Sequence, residues 1–330
     1  MSTELLDCTL RDGTYVNDGN FGFETIKALI SGLNNSNVDI IECGWLINKD
    51  FSINKTYFSN ISDIEIFLEC EKKAKYSLML YHNEYDLKKI IKNTGRIDIL
   101  REIFRKEKYK EAIERSKIIK NSGYQLFYQL VNTNEYNNQE LMELSGLSNK
   151  IMPDCIYIVD TNGSMFRGDL KRVFEKIFPK NEKTNSFHSH NNLQLSFSLT
   201  IDFIEMANNT KRDIIIDSTL FGMGRGAGNL NTELITEYLN KFYFKNYDLD
   251  IINKLITNEI LKFKETTDWG YNIPYLLSGT FNIHSRYAKY LTEKYEINPE
   301  TLREVFAIIK KGETSGFSKE KAENAIKSIL

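Results

Sequence analysis

Short apolar runs that alternate with amphipathic stretches are the feature that most constrains the fold of this 330-residue chain. Eight runs rich in Ile, Val, Leu and Tyr predict parallel strands that are buried on both faces. The predicted strands are Glu4–Thr9, Val38–Cys43, Ser77–Tyr81, Ile97–Ile103, Gln125–Val131, Cys155–Val159, Ser186–His190 and Asp213–Asp217. Eight such units over about 250 residues match a (β/α)8 TIM barrel, with an open doubly wound sheet as the alternative.

Helical patterns fill the segments between these runs and dominate the end of the chain. Between the strands, the predicted helices are Phe23–Gly32, Glu84–Asn93, Glu107–Asn121 and Leu170–Phe178. Beyond them, the predicted helices are Ile251–Glu265, Thr280–Glu296, Pro299–Lys311 and Ser318–Leu330. We therefore predict a barrel domain over residues 1–247 and a helical C-terminal extension over residues 248–330.

Composition limits the partners and the location of the protein. Lys and Arg number 43 against 45 Asp and Glu, so the net charge of −2 gives no electrostatic reason to expect nucleic acid or an acidic membrane. The apolar runs are too short to span a bilayer, and the N-terminus lacks the basic and apolar parts of a signal peptide. The four cysteines are far apart and predict buried thiols rather than disulfides. We expect a cytoplasmic protein.

Ionisable residues recur where the predicted strands end. Functional groups of a (β/α)8 barrel lie at the C-terminal ends of its strands. The residues at or near these ends are Arg11, Asp12, Glu42, Arg101, Asp160, His188, His190 and Asp217. Burying a ring of charged side chains has an unfavourable desolvation free energy that apolar residues at the same positions would avoid. The pattern therefore predicts an active site.

His188 and His190 are the strongest metal signal in the chain. Side chains two residues apart on a strand point to the same face, so two imidazoles can share one cation and need only a carboxylate to complete a site. Each residue also has a structural interpretation: the histidines as core or solvent-facing residues, Arg11 and Asp12 as a rim ion pair, and Glu42 and Asp160 as caps. The glycine run at residues 222–229 predicts a turn or an anion-binding nest, because it lacks the lysine of a P-loop.

Three motifs together resemble the signatures of the DRE-TIM metallolyases, the HMGL-like superfamily. They are the run from Asp7 to Gly13 (DCTLRDG), the run from His188 to Asn191 (HSHN) and the run from Gly222 to Asn229 (GMGRGAGN). The last motif is most similar to the 4-hydroxy-2-oxovalerate aldolase branch. The resemblance implies a metal-dependent aldolase or lyase that makes or breaks a carbon–carbon bond next to a 2-oxo acid, through a pyruvate-type enolate.

The resemblance also implies roles for individual residues. Asp12, His188 and His190 would hold a divalent metal, with Asn229 as a further ligand, and Arg11 would stabilise the enolate oxygen. Glu42 and Asp160 would complete the catalytic set. An Asp and two His with open positions suit Mn²⁺ first, with Mg²⁺, Co²⁺ or Zn²⁺ as alternatives.

The first motif departs from the family at one position. Aldolases of this branch carry a histidine base after Asp-Gly in loop one, and here Tyr15 occupies that place. A tyrosine has an ordinary pKa near 10, which makes it a poor base near neutrality. Either Tyr15 transfers the proton, or another group does, with Asp18, His82 and His284 as candidates.

Several functions stay open on sequence alone. The expected substrates are a small 2-oxo acid and an aldehyde, and the family implies a homodimer or a partner dehydrogenase bound through the C-terminal helices. The alternatives are a Claisen-type synthase that joins an acyl-CoA to a 2-oxo acid, and a family member with altered or lost catalysis. An Fe(II) oxygenase would use the same ligand types, but the alternation of strands and helices argues against it.

Overall fold

The computed structural model describes residues 2–80, 85–104, 108–178, 184–312 and 316–329. Eight parallel strands form a barrel that closes because β1 pairs with both β2 and β8. The strands are β1 Thr3–Asp7, β2 Ile40–Leu46, β3 Lys75–Leu80, β4 Ile99–Phe104, β5 Gln125–Leu130, β6 Cys155–Asp160, β7 Thr184–Ser189 and β8 Ile214–Ser218. The predicted TIM barrel is confirmed, and the open sheet is excluded.

Each barrel strand is apolar on both faces because it packs against two different layers. Leu6, Ile40 and Ile99 point inward and form a small core within the barrel, together with Phe127 and Tyr157. Neighbouring side chains of the same strands point outward and pack against the helices in the main core. This two-sided burial is why the strands have continuous apolar sequences rather than alternating ones.

Strand β2 extends three residues beyond its predicted end at Cys43. Gly44 has a φ of 147°, and a Cβ atom there would lie 2.2 Å from the Thr56 carbonyl oxygen. Only glycine allows this approach, which lets the two-residue strand Tyr57–Phe58 pair with the end of β2. The extension carries Trp45 to the mouth of the barrel.

In the described part of the chain, six α-helices cover the outside of the barrel, and one predicted helix is wrong. The helices are Phe23–Asn35, Tyr109–Asn121, Asn138–Ile151, Arg167–Ile177, Ser196–Asn209 and Thr232–Tyr243, and a 3₁₀ helix at Ile61–Phe67 follows β2. After β3, where Glu84–Asn93 was expected to be helical, the described residues form only the turn Leu87–Lys89. The segment buries Leu87 but leaves Ile91 51% exposed, so it lacks the apolar face that would hold a helix on the barrel.

The C-terminal extension is helical, as expected, but its second predicted helix is interrupted. The extension contains Leu249–Leu255, a π-helical turn Ile256–Ile260, Leu261–Lys264, Ile273–Thr280, Arg286–Lys294, Pro299–Lys310 and Lys319–Lys327. A single helix over Thr280–Glu296 is wrong because Asn282 adopts a left-handed φ of 50° and ends the regular hydrogen bonding.

Two larger apolar cores lie outside the small core within the barrel. The main core of the barrel continues through Ile252 and Ile260 to Trp269, and a second core formed by the later helices includes Tyr275, Tyr287 and Phe306. The division at residue 247 stays a prediction, since the helices directly after it share the barrel core. None of the described helices combines the length and the apolar character that a membrane crossing requires.

Candidate metal and enolate site

Two connected spaces open at the C-terminal ends of the strands. The inner cavity, of about 300 Å³, lies over the barrel axis, and the outer chamber, of about 400 Å³, lies between loop one and the C-terminal helices. Tyr15, Arg225 and Arg286 line both. The predicted residues Arg11, Asp12, His188 and His190 line the inner cavity, as do Trp45, Gln129 and His284.

Arg11 and Asp12 stand side by side because a short helix, Thr9–Asp12, begins almost directly after β1. The Arg11 guanidinium donates to the Asp12 carboxylate and to Glu42 Oε2, the latter at 2.7 Å. Burial alone would raise the pKa of Asp12, but Arg11 and His188 hold it well below its usual range. Asp12 is therefore an ionised carboxylate within the protein.

His188 and His190 both direct Nε2 toward the inner cavity. His188 Nδ1 lies 2.9 Å from Asp217 Oδ2, and His190 Nδ1 lies 3.0 Å from the Asp160 carbonyl oxygen. These contacts place a proton on each Nδ1 and leave Nε2 as the inward-facing atom. Burial and Arg225 lower the pKa of His190 well below its usual value, which keeps it a neutral potential ligand.

The acceptors around Asp12 fit a divalent cation. His188 Nε2 lies 3.3 Å from Asp12 Oδ2, and Asn229 donates its amide to the same oxygen at 2.8 Å. Asn229 Oδ1 is buried and has no hydrogen-bond partner among the described residues. A bound cation would give this oxygen the partner that buried polar atoms normally have. Carboxylate, imidazole and amide oxygen are all suitable donors.

Cys8 is a further potential ligand that the sequence analysis treated only as a buried thiol. Its Sγ, the Asp12 carboxylate and the His188 imidazole lie within 4.8 Å of one another. The thiol lies 3.3 Å from the Ser218 carbonyl oxygen, and burial, reinforced by Asp12, raises its pKa well above the usual value. A protonated thiol is a poor ligand, so the protein alone does not prepare Cys8 to bind a cation.

Behind these residues, alternating charges close into a ring. Arg101 Nη1 lies 2.9 Å from Glu42 Oε2, and its Nη2 bonds Asp217. The sequence of contacts around the ring is Arg11, Glu42, Arg101, Asp217, His188, Asp12 and back to Arg11. Glu42 thus lies beneath Arg11 and outside the cavity wall, where it orients the guanidinium.

Asp160 turns its carboxylate toward its own loop. The carboxylate accepts the backbone N–H groups of Ser164 and Met165, and burial raises its pKa to about 7. Its backbone oxygen, rather than its side chain, contacts His190. The geometry makes Asp160 a positioning residue for the loop and for His190.

The candidate residues for proton transfer differ in exposure and in their position relative to the inner cavity. Tyr15 is 40% exposed and packs edge-on against Trp45, with the Arg225 guanidinium 5.6 Å from its ring centre. Asp18 is exposed and pairs with Lys55 at 2.6 Å, away from the inner cavity. His82 lies outside the described residues. His284 lines the inner cavity from the C-terminal extension.

The glycine run shapes the rim and places Arg225 and Asn229. Gly228 has a φ of 85°, and a Cβ atom there would lie 2.1 Å from the Gly222 carbonyl oxygen. The loop folds back on itself, which brings Asn229 to Asp12. Sequence reasoning did not assign roles to Trp45, Gln129 or Arg225. For Arg225 a signal existed, since it is the single charge within the glycine motif.

Comparisons with known proteins agree with this geometry. The model of the HMGL-like family matches residues 2–257. A 4-hydroxy-2-oxovalerate aldolase from Thermomicrobium roseum is 25% identical over 306 residues, covering 90% of this chain and 84% of that protein. An oxaloacetate decarboxylase from Mycobacterium tuberculosis is 21% identical over 261 residues, covering 78% of this chain and 76% of that protein.

Solved structures share the architecture. The N-terminal domain of a candidate aldolase from Bacteroides vulgatus superposes with a TM-score of 0.72 at 27% identity, covering 88% of this chain and 97% of that one. The carboxyl transferase domain of Rhizobium etli pyruvate carboxylase, solved with pyruvate, gives a TM-score of 0.73 at 13% identity, over 99% of this chain and 61% of that one. The second likeness concerns the fold alone. The matches confirm the resemblance that the three motifs predicted.

Proposed function

The chain belongs to the HMGL-like family, and we propose that it is a divalent-metal-dependent carbon–carbon lyase that acts on a 2-oxo acid. The observation that carries the proposal is that Asp12 lies beside the Arg11 guanidinium, His188 Nε2 and the Asn229 amide, while the ring centres of His188 and His190 are 5.0 Å apart. The curated relatives named as an aldolase and a decarboxylase support the proposal, because both reactions leave the enolate of a 2-oxo acid.

We assign Asp12, His188, His190 and Asn229 as the metal ligands. When bound, the metal would act as a Lewis acid that spreads the negative charge of the enolate. The mixed oxygen and nitrogen donors favour Mn²⁺ over Zn²⁺, with Mg²⁺ or Co²⁺ as alternatives. Cys8 as a ligand would shift the preference toward Zn²⁺, and its hydrogen bond to Ser218 argues against that.

The chain's own residues would perform the remaining steps. In the cleavage direction the 4-hydroxyl group loses its proton, the C3–C4 bond breaks, and its electron pair becomes the enolate of pyruvate. Arg11, held by Asp12 and Glu42, would donate to the enolate oxygen. The buried Gln129 Nε2, which has no partner among the described residues, would donate to the substrate carboxylate. Tyr15, ionised as its phenolate, would accept the hydroxyl proton.

Exchange of the pyruvate methyl protons with deuterium is the direct test, because only enolisation produces it. We expect exchange that depends on added Mn²⁺. The D12N variant should lose metal binding, measured by calorimetry, and at least about 10³-fold in exchange rate. The matched control is D50N, which changes an exposed carboxylate and should leave both properties unchanged. Metal-dependent exchange that survives in D12N would contradict the proposal.

The substrates and surroundings follow from the same proposal. A small 2-oxo acid fits the inner cavity, and an aldehyde would enter through the outer chamber. The C-terminal helices would bind a second copy of the chain or a dehydrogenase that consumes the aldehyde. A cytoplasmic location stays a prediction.

A further inference from the structure

We infer that the aldehyde substrate carries an anionic group, a carboxylate or a phosphate, and that Arg225 and Arg286 bind this group. The inference rests on the proposed lyase function and adds the chemical class of the second substrate. Among the described residues, Tyr15, Arg225 and Arg286 line both the inner cavity and the outer chamber. A substrate that reacts in the inner cavity and extends into the outer chamber therefore passes both guanidinium groups.

Arg225 is held at this boundary by neutral acceptors. Its Nη1 donates to His284 Nε2 at 2.6 Å, and its Nη2 donates to the Thr161 carbonyl oxygen at 2.7 Å. The guanidinium also lies 5.6 Å from the centre of the Tyr15 ring. A guanidinium has more N–H groups than these hydrogen bonds use. Arg225 is therefore fixed in place, and part of its set of donors stays available for a ligand.

His284 positions Arg225 because the C-terminal extension breaks at Asn282. The Asn282 Oδ1 atom accepts hydrogen bonds from Asn162 at 3.0 Å and Ser164 at 2.8 Å, which fastens the break to the loop that follows β6. Burial, followed by the charges of the two neighbouring arginines, lowers the pKa of His284 well below its usual value. The imidazole is therefore neutral, and it holds Arg225 without offsetting its charge.

Neither Arg225 nor Arg286 forms an ion pair with a carboxylate among the described residues. Asp12 is the only acidic residue in the described part of the chain that lines the inner cavity, and it bonds Arg11. The Arg286 guanidinium instead packs on Phe317, 5.0 Å from the ring centre. Burial lowers the pKa of Arg225, and the charges of Arg11 and Arg286 act in the same direction. Two positive charges thus lie at one boundary without a counterion.

The acidic residues of the outer chamber leave this excess of positive charge in place. Asp18 pairs with Lys55 at 2.6 Å, and Glu293 lies 3.8 Å from Lys289. Asp268 also lines the chamber, and it forms no ion pair with any cation of the described chain. An anionic substrate would supply the missing charge, and guanidinium groups match the oxygen atoms of carboxylates and phosphates.

The size of the site and the chemistry of the reaction agree with an extended aldehyde. The outer chamber adds about 400 Å³ to the inner cavity, which is space for a substituent much larger than the methyl group of acetaldehyde. In the addition direction, the enolate carbon attacks the aldehyde carbon, and the electron pair of the C=O bond moves onto the aldehyde oxygen. This oxygen takes the proton of the Tyr15 hydroxyl. The anionic group forms and breaks no bond, and charge-assisted hydrogen bonds from the two arginines hold it.

The test compares anionic with neutral aldehydes in the Mn²⁺-dependent addition to pyruvate. One pair is succinic semialdehyde and butanal, and the other is glyceraldehyde 3-phosphate and glyceraldehyde. We expect kcat/KM of the wild type to be on the order of 10- to 100-fold higher for the anionic member of at least one pair. The pair with the larger ratio distinguishes a carboxylate from a phosphate. No preference in either pair would overturn the inference.

R286Q removes one charge from the boundary, and it should lower this preference about tenfold by raising KM for the anionic aldehyde. R286K keeps the charge and should retain about a third of the preference or more. The matched control is R167Q, which changes an exposed arginine that pairs with Asp202 away from both spaces and should leave the preference unchanged.

Deuterium exchange at the pyruvate methyl group separates this inference from the proposed function. R286Q should keep the wild-type KM for pyruvate in that exchange, because Arg286 contacts the second substrate only. A raised KM for pyruvate would assign Arg286 to the pyruvate carboxylate and overturn the inference. A wild-type protein without metal-dependent exchange would instead refute the proposed function.

Discussion

The inner cavity and the outer chamber differ in how their charges are balanced. Around the inner cavity, the acidic and basic side chains of the ring satisfy one another, so that Arg11 and Asp12 are oriented before any substrate arrives. At the border with the outer chamber, Arg225 has no carboxylate partner among the described residues, and its guanidinium lies against the Thr161 carbonyl oxygen and His284 Nε2. The inner site is preorganised, and the outer one is completed by its ligand.

This difference separates two tasks of the proposed enzyme. Stabilising an enolate requires fixed charges at the point where negative charge develops, which the buried ring provides. Handling the second substrate requires groups that respond to its shape and oxygen atoms, which the C-terminal extension provides. Substitutions in the two regions should therefore affect different reactions, and the following predictions test that separation.

Tyr15→Phe should have the largest selective effect. Removing the hydroxyl group eliminates proton transfer to the C4 oxygen, so cleavage of 4-hydroxy-2-oxovalerate should fall about 10²- to 10³-fold in kcat. Oxaloacetate decarboxylation should fall less than tenfold, because it needs only the inner site. Parallel steady-state assays check this. Equal losses for both substrates would place Tyr15 in the enolate chemistry and break the comparison.

Glu42→Gln should weaken both reactions together. The amide keeps the shape of the side chain but loses the charge that holds Arg11 and Arg101, so both guanidinium groups become less well oriented. We expect kcat to fall on the order of 10- to 50-fold for cleavage and for decarboxylation, with metal affinity within about threefold of wild type. A loss confined to cleavage would show that the ring does not serve the enolate.

The inner site was the more predictable of the two regions. Asp12, His188 and His190 lie at strand ends, and parallel strands bring their ends to one mouth, so local sequence suffices to place them. Asn229 also came from a contiguous motif. Trp45 was missed because a glycine bulge carried β2 past its predicted end, which apolar periodicity does not show.

The outer region depends on contacts that are distant in sequence. The apolar pattern of Thr280–Glu296 suits one helix, but Asn282 bonds to residues about 120 positions earlier and interrupts it. Likewise, the described part of the segment after β3 buries Leu87 but leaves Ile91 exposed, so it does not pack on the barrel as a helix. Tertiary contacts decided both segments, and propensity alone could not.

Asp7→Asn tests a buried carboxylate that lies outside the ring of charged residues and accepts hydrogen bonds from neutral donors. Asp7 accepts from the Thr9 N–H and the Thr232 hydroxyl, and burial raises its pKa to about 6 from the ordinary 3.8 of an aspartic acid. The folded state thus binds a proton more readily than the unfolded state. Wild type therefore loses stability as pH rises through this interval, by about 3 kcal/mol at most, and none of it below pH 3.8.

The asparagine variant cannot ionise and lacks this loss. Urea unfolding at pH 4.5 and pH 7.5 should therefore show D7N becoming more stable relative to wild type at the higher pH. The control is D217N, in which the lost carboxylate is paired with Arg101 and has a pKa lowered below its usual 3.8, so its titration lies below both pH values and the stability of D217N relative to wild type should stay nearly constant between them. Parallel pH trends in the two variants would contradict the distinction between paired and unpaired carboxylates.

Asn282→Gly should have the smallest effect. It tests whether the hydrogen bonds of Asn282 position the outer region. Glycine tolerates the left-handed φ, so the helix break persists while the hydrogen bonds to Asn162 and Ser164 are lost. His284 then becomes less well fixed, and cleavage should fall about three- to tenfold, with a smaller change in decarboxylation. Asn282→Asp keeps the acceptor oxygen and should stay within about twofold of wild type for cleavage. If the glycine variant matched wild type on both substrates, the position of His284 would not depend on this anchor, and the outer region would be more rigid than its contacts suggest.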